Sequence, residues 1–212
     1  MRAGFLSSLS TLFFPLGNDA EAARNVTEEA LLAKVRLEYA VSHHTYTALS
    51  YADPHVRALI RANKYENDAY AARLLRQVLA LTLEAVFDDH ALALSGQRLL
   101  VVPTPTAPKR ARERGRHQVK ALCKSITLPL SAEYADVLER VNRPSQITVP
   151  KEERAKNIAG AFSVPPRHHP LIQGSAVFVV DDVSETGATM LDTMRALREA
   201  GAGEVAGIAL AR

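Results

Sequence analysis

The stretch Val177-Phe-Val-Val-Asp-Asp-Val-Ser-Glu-Thr-Gly-Ala-Thr189 decides the fold. It begins with apolar, mostly β-branched residues, which predict a buried strand of a parallel sheet. Two aspartates follow at the carboxyl end of this strand, and a helical pattern of apolar residues runs from Met190 to Ala200. The stretch therefore predicts a strand, a polar turn and a helix, which together form the repeating unit of an α/β sheet.

The turn from Glu185 to Thr189 predicts a phosphate site. It would present backbone N–H groups and two threonine hydroxyls at the N-terminus of a helix, where anions bind. Asp181 and Asp182 repel a phosphate, but they suit the hydroxyls of an attached sugar or a metal ion nearby. Ligands of open α/β sheets bind beyond the carboxyl ends of the strands. The pattern therefore predicts a polyol phosphate as the ligand; the alternative is an acidic turn and a helix cap without a ligand.

This segment resembles the binding signature of the type I phosphoribosyltransferases, which bind phosphoribosyl pyrophosphate with two acidic residues and a Thr-Gly-x-Thr loop. The resemblance implies that Asp181 and Asp182 hold the ribose hydroxyls, with or without the water shell of a Mg²⁺ ion. Mg²⁺ is then a cofactor carried by the substrate, with the two aspartates as its candidate protein contacts. The resemblance also implies a 5′-phosphate site formed by Thr186, Gly187, Ala188 and Thr189.

The composition bounds the class of protein. The 212 residues suffice for one sizeable domain with a short extension, or for two small domains. A hydrophobic content of 47% and a charged content of 23% are ordinary for a soluble globular protein. The single cysteine, Cys123, excludes an internal disulfide framework and a cysteine-rich zinc site. No apolar run approaches the length of a membrane span, and we expect a cytoplasmic protein without membrane contact.

Apolar strand patterns alternate with helical patterns along the chain. Strands are predicted over 46–51, 99–102, 177–180 and 205–210, and helices over 69–87 and 118–126. This alternation predicts an α/β fold for residues 46–212, a doubly wound and mostly parallel sheet of the type I phosphoribosyltransferase kind. Residues 1–45 are predicted to form a helical N-terminal extension, in which a helix capped by Thr27 continues to Tyr39. The segment 134–140 fits a strand or a short helix.

A second group of candidate site residues follows the strand that ends at Pro103. A basic run extends from Lys109 to Lys120 after this strand. A departing diphosphate needs cationic or N–H partners, and arginine suits bidentate phosphate contact whereas lysine acts as a point charge. We expect the pyrophosphate to be bound by Thr104, Lys109 and Arg110. Contact with nucleic acid and a solvated helix face are the alternatives for the basic run.

Further motifs precede the acidic signature, in the order Arg57–Tyr65, Val102–Pro105, Arg112–Gln118, Gln146, Arg154 and Asn157–Phe162. From about Tyr46 to Arg212 this series resembles the ComF family, phosphoribosyltransferase-like proteins associated with DNA uptake in bacteria. Many members carry an N-terminal zinc finger of paired cysteines, which this chain lacks. If the protein is such an enzyme, we expect the segment around Arg143–Arg154 to close as a lid over the substrate. Its residues are Arg143, Gln146, Arg154 and Asn157.

Glu185 departs from the usual phosphate loop, in which threonine is common at this position. A carboxylate here repels a phosphate unless it points away. In the purine phosphoribosyltransferases an acidic residue at this position resembles a proton acceptor for the incoming base, so Glu185 joins Asp181 and Asp182 as a candidate catalytic residue. The alternative is a solvent-facing residue in the first turn of the helix, where the helix dipole favours negative charge.

Two functions remain open. The first is an enzyme that displaces pyrophosphate from the anomeric carbon of phosphoribosyl pyrophosphate with a nitrogen nucleophile. The second is a non-catalytic module that binds a nucleotide, or that engages single-stranded DNA or a protein of DNA uptake or replication. The basic run is poor in aromatic residues, which makes direct DNA binding the weaker branch. The acceptor base, the protein partner and the oligomeric state are not determined by the sequence.

Overall fold

A six-stranded sheet organises the part of the chain that the computed structural model describes, which is residues 19–94, 96–105, 118–126, 131–141 and 160–212. The order of its strands is β1-β2-β8-β7-β3-β4, and β5 pairs with β6 in a separate antiparallel sheet. The strands are β1 (Glu38–Ala40), β2 (Thr45–Leu49), β3 (Leu99–Pro103), β4 (Glu133–Tyr134), β5 (Glu139–Arg140), β6 (Phe162–Ser163), β7 (Ala176–Val183) and β8 (Val205–Ala211).

Helices and helical turns connect these strands. The α-helices are α1 (Asp19–Arg24), α2 (Glu28–Leu32), α3 (Pro54–Arg61), α4 (Ala69–Leu94), α5 (Gln118–Ile126), α6 (His169–Ile172) and α7 (Ala188–Glu199). Two 3₁₀ turns cover Val41–His43 and Pro166–His168, and a π turn covers Ala62–Glu66 directly after α3. Among the helices in these ranges, none is both long and apolar enough to span a bilayer.

The sheet is parallel except at one edge. β2, β8, β7, β3 and β4 pair in parallel, whereas β1 pairs antiparallel with β2. Parallel neighbours require crossover connections, which α7 supplies between β7 and β8. The predicted α/β fold with a mostly parallel sheet is confirmed.

Alternate residues of the central strands face two separate cores. Phe178 and Val180 of β7 pack with the apolar residues of α4 and α5 on one face of the sheet. Val177 and Val179 pack with Met190 and other apolar residues of α7 on the opposite face. Side chains of successive strand residues point to opposite faces. The sheet is therefore covered by helices on both sides, which is the doubly wound arrangement.

The N-terminal extension is not purely helical. Thr27 caps α2 as predicted, since its hydroxyl accepts a hydrogen bond from the N–H of Ala30 at 3.1 Å. The helix predicted to reach Tyr39 is wrong, because α2 ends at Leu32. The N–H of Arg36 then donates to the carbonyl of Ala48 at 2.8 Å, so pairing with the sheet replaces the helix. β1 joins this extension to the sheet, and the predicted boundary at residue 45 stays a prediction.

Several other elements differ from their predicted bounds: the strand predicted over 46–51 is Thr45–Leu49, and the helix predicted over 69–87 continues to Leu94. The segment 134–140 forms neither one strand nor one helix, because its ends join different partners. β4 pairs with β3 in the main sheet, and β5 pairs with β6. β7 extends three residues beyond the predicted Val180, because Asp181 and Val183 still pair with β8.

Asp192 connects the two-stranded sheet to α7. Its buried carboxylate accepts hydrogen bonds from the backbone N–H groups of Gly160 at 2.6 Å and Phe162 at 2.9 Å. It also accepts from the guanidinium of Arg195 at 2.8 Å. Burial by itself raises the pKa of Asp192, but these hydrogen bonds outweigh burial and leave the pKa lowered. The residues that directly follow the predicted lid are thereby anchored to α7.

Substitution of Asp192 with Asn should lower the free energy of unfolding at pH 7 by about 1–3 kcal/mol, because a buried charge-assisted network loses its acceptor. A lowered carboxylate pKa contributes stability above the unfolded pKa, and that contribution is lost as the pH falls through the folded pKa. Urea denaturation should therefore show the deficit at pH 7 shrinking below about pH 4. Asp136→Asn, in a surface ion pair, serves as the control with an expected change of under about 0.5 kcal/mol. A deficit that is constant with pH would contradict this account.

Candidate functional site

The ends of β3 and β7 lie side by side at the carboxyl edge of the sheet. Pro103 stands opposite Val180 in the parallel register. The N–H of Thr104 donates to the carbonyl of Val180 at 2.9 Å, which continues the ladder by one residue. Thr104 is buried, and its hydroxyl donates to the carboxylate of Asp181. The strand ends are thus adjacent, as expected, and a direct hydrogen bond joins them. Contact of Thr104 with pyrophosphate stays a prediction.

Asp181 carries a strongly perturbed carboxyl group. Burial, followed by the neighbouring charge of Asp182, raises the pKa of Asp181 to about 7. The hydroxyl of Thr104 and the N–H of Asp182, which donates to Asp181 Oδ1 at 2.9 Å, act in the opposite direction. Near neutral pH this carboxyl is therefore able both to hold and to release a proton.

Asp182 forms an ion pair with a residue distant in sequence. Lys64 Nζ lies 2.6 Å from Asp182 Oδ2, and the two side chains are 23% and 16% exposed. The backbone places Lys64 there through the π turn that follows α3. Lys64 continues the inward-facing series Val56, Ile60, Lys64 at a spacing of four. A lysine at an apolar position of an amphipathic helix is the sequence signal for this contact.

The predicted phosphate loop connects β7 to α7. Gly187 precedes α7 and has φ = 70°, a left-handed conformation that favours glycine. Helix α7 starts at Ala188, two residues before the predicted start, so Thr189 lies in its first turn. Glu185 and Thr186 are exposed. The exposure of Glu185 fits a solvent-facing residue and also leaves it accessible as a base, so both roles remain predictions.

His43 packs against this loop and was not identified as a site residue from the sequence. A Cβ atom built on Gly187 would lie 2.3 Å from Cγ of the His43 ring, so the ring packs directly against the glycine. His43 is 4% exposed. Burial, followed by the charges of Arg212 and His44, lowers the pKa of His43. A neutral imidazole therefore underlies the loop near neutral pH.

Several predicted site residues lie outside the part of the chain that the structure describes. This applies to the remaining pyrophosphate contacts and to the whole predicted lid. These residues are Lys109, Arg110, Arg143, Gln146, Arg154 and Asn157. Their roles stay predictions. Among the site residues that are described, the structure brings Thr104, Asp181 and Asp182 to one edge of the sheet.

The described residues of the site do not form a complete metal site by themselves. Within the described ranges, no three His, Cys, Asp or Glu residues are grouped so that they would hold a metal ion. Of the two carboxylates at the strand end, that of Asp182 is already paired with Lys64. Mg²⁺ requires octahedral oxygen coordination. These residues fit a Mg²⁺ ion only if the ligand itself supplies most of the coordinating oxygens.

Comparison with known proteins shows which class of domain this part of the chain resembles. Residues 120–212 match the family model described as "Phosphoribosyl transferase domain". This range contains the acidic pair, the loop and α7. Residues 120–212 are thus similar to a phosphoribosyltransferase domain and lie on a mostly parallel α/β sheet.

A particular relative extends the match toward the N-terminus. The chain is 28% identical over 166 residues to Competence protein F of Haemophilus influenzae, a match that covers 76% of this chain and 69% of that protein. The predicted resemblance to the ComF family is confirmed. Among solved structures, the allosteric regulatory enzyme of purine biosynthesis matches with 18% identity and a TM-score of 0.39, over 70% of this chain and 30% of the length of that enzyme chain.

Substitution of Gly187 with Ala should destabilise the protein more than the same change at Gly174. Both glycines have positive φ, at 70° and 68°, so both variants incur backbone strain of about 1 kcal/mol. Only at Gly187 does the new methyl group collide with His43, whereas nothing lies within 4 Å at Gly174. We expect a further loss of about 1–3 kcal/mol for Gly187→Ala, measured by urea denaturation. Equal losses in the two variants would show that the ring yields without cost.

Substitution of Asp181 with Asn should stabilise the protein above neutral pH. A carboxyl whose folded pKa is raised holds its proton in the folded state while the unfolded chain has lost it, so the stability of the parent protein falls as the pH rises from about 4 to 7. Asn removes this loss while still accepting from Thr104. We expect a gain on the order of 2 kcal/mol at pH 8 that disappears near pH 4, measured by thermal unfolding across the pH range. A gain of the same size at both pH values would contradict the assignment.

Proposed function

We propose that this protein binds phosphoribosyl pyrophosphate together with Mg²⁺ and transfers the phosphoribosyl group to a nitrogen nucleophile. One observation carries the proposal: the acidic pair at the end of β7 leads directly into a loop at the N-terminus of α7, beside the end of β3. Carboxylates that accept hydrogen bonds from sugar hydroxyls, and N–H groups that donate to an anion, therefore lie a few residues apart at one edge of the sheet. A phosphorylated sugar requires both.

Each side chain has a proposed role in binding. Asp181 and Asp182 accept hydrogen bonds from the ribose 2- and 3-hydroxyls. The 5′-phosphate is bound by the loop Thr186–Thr189, where backbone N–H groups and the dipole of α7 favour an anion. Thr104, Lys109 and Arg110 face the diphosphate. The segment around Arg143–Arg154 excludes water that would hydrolyse the substrate.

The reaction exchanges one bond at the anomeric carbon. The nitrogen nucleophile forms a bond to this carbon as the bond to the pyrophosphate oxygen breaks, and the electron pair leaves with pyrophosphate. When bound, Mg²⁺ screens the negative charge of the leaving group through oxygens of the substrate. Cationic side chains near the diphosphate add to this stabilisation. The proton of the nucleophile passes to a nearby base, for which exposed Glu185 is the candidate.

A binding module without turnover is the second candidate. The name of the relative from Haemophilus influenzae connects that protein with competence. In this chain the ion pair between Lys64 and Asp182 already occupies part of the acidic pair. A protein of this kind would recognise a nucleotide, single-stranded DNA or a protein of DNA uptake without transferring the sugar.

Calorimetry with phosphoribosyl pyrophosphate and Mg²⁺ tests the binding site. Asp182→Asn should weaken binding about tenfold or more, because a charged acceptor of ribose hydroxyls is lost. Glu133→Gln, which breaks the 3.9 Å ion pair with Arg98 at the amino ends of β3 and β4, is the matched control and should bind as the parent protein does. Unchanged affinity in Asp182→Asn would overturn the assignment of the acidic pair.

Turnover is tested separately by pyrophosphate release. The parent protein is incubated with phosphoribosyl pyrophosphate, Mg²⁺ and a panel of nitrogenous bases. Release that depends on one base supports the enzyme and identifies the acceptor. Binding without release, joined to salt-sensitive binding of single-stranded DNA, supports the module instead.

A further inference from the structure

We propose that Lys64 supplies at Asp182 the positive charge that a divalent cation would otherwise provide, so that the site binds a sugar monophosphate such as ribose 5-phosphate without Mg²⁺. This inference rests on the proposed function, and it adds both a residue and a metal requirement. The carrying observation is the contact of 2.6 Å between the Lys64 ammonium and the Asp182 carboxylate.

The backbone holds Lys64 in place. The π turn that contains it is closed by a hydrogen bond from the N–H of Asn67 to the carbonyl of Ala62, and the N–H of Asp68 donates to the same carbonyl at 3.2 Å. Asn67 ends the turn in a left-handed conformation with φ = 53°, and its side-chain oxygen accepts from Gln118 at 3.1 Å. π turns are rare and occur often at functional sites. Lys64 thus extends from a tethered backbone rather than from an open loop.

Other nearby cationic charge is already engaged. Arg61, one turn before Lys64, pairs with Asp19 at 2.7 Å. Among the residues that the structure describes, Lys64 is the only lysine or arginine within 4 Å of the Asp182 carboxylate. Two adjacent carboxylates repel each other, and a partly buried pair needs a counter-charge. Lys64 meets this need for Asp182.

The ion pair leaves hydrogen-bond acceptor capacity on Asp182. Asp182 Oδ2 contacts Lys64, and Asp182 Oδ1 accepts from the N–H of Val183 at 2.9 Å. Each carboxylate oxygen accepts more than one hydrogen bond, so one acceptor position per oxygen remains for a ribose hydroxyl. A ligand with a single phosphate brings no diphosphate charge that requires a metal. Lys64 and a sugar monophosphate are therefore compatible partners of the same carboxylate.

Calorimetric titration of the full chain with ribose 5-phosphate, in EDTA and again in Mg²⁺, tests the proposal. The parent protein should bind equally well in both buffers. Lys64→Gln should weaken binding in EDTA by about tenfold, and Mg²⁺ should restore a substantial part of the loss by replacing the missing charge. Lys64→Arg keeps the cation and should bind in EDTA. Lys64→Met keeps much of the apolar stem and should behave as Lys64→Gln does. It replaces Lys64→Gln in the experiment if that variant does not fold.

Lys34→Gln is the matched control. Lys34 pairs with Asp53 Oδ2, and Asp53 caps the same helix α3 through its other oxygen, which accepts from His55 and Val56. This variant removes a partly buried lysine from an ion pair without touching the site, so it should bind ribose 5-phosphate as the parent does in both buffers.

The outcomes separate this inference from the proposed function. A parent protein that binds only with Mg²⁺ overturns the inference, as does a Lys64→Gln variant that binds normally in EDTA. A loss in Lys64→Gln that Mg²⁺ leaves unchanged also overturns it, because Lys64 would then act through packing alone. Failure of ribose 5-phosphate to bind the parent in either buffer overturns the proposed sugar-phosphate site together with the inference.

Discussion

Two carboxylates on consecutive residues repel each other, and at the end of β7 they also lose part of their hydration. Each aspartate is stabilised by a contact with a different segment of the chain. β3 lies next to β7 in the sheet, so the hydroxyl of Thr104 reaches Asp181. The π turn after α3 brings Lys64 to Asp182. The strand order of the sheet and the path of the chain after α3 therefore determine the contacts of this acidic pair. The charge state of the site depends on these contacts.

The loop beside the acidic pair is constrained by steric packing rather than by charge. Gly187 adopts a left-handed conformation with the ring of His43 packed against it. Asp192 lies in the second turn of α7 and accepts hydrogen bonds from the backbone N–H groups of Gly160 and Phe162. The start of α7 is thus fixed on two sides. A preorganised loop of this kind would bind the proposed phosphate without the entropy cost of ordering the backbone.

These features bear on chemistry as well as on binding. A carboxyl with a raised pKa beside a carboxylate paired to lysine has a lower net charge than two free aspartates. An incoming phosphate is accordingly repelled less than the sequence alone suggests. The same compensation makes the pair a weaker direct ligand for a metal ion. This is why the proposed Mg²⁺ belongs to the diphosphate of the substrate rather than to the protein.

Local pattern was sufficient for much of the fold. The runs of apolar residues located β3, β7 and β8, and helical spacing located α5 at its observed bounds, because strand and helix periodicities are properties of short segments. Pattern failed where pairing with a distant strand competed with helix propensity. The residues up to Tyr39 have helical spacing, yet β1 forms there because β2 offers backbone partners.

The sequence by itself determined the strand–loop–helix unit with its two aspartates and its Thr-Gly-Ala-Thr loop, since these residues are neighbours along the chain. Only the tertiary structure decided which residues surround them. Thr104, Lys64 and His43 come from three other segments, and their contacts with the unit arise from the order of the strands and the packing of helices on the sheet. Periodicity records which face of an element is buried, but it does not record which residue of another element that face will meet.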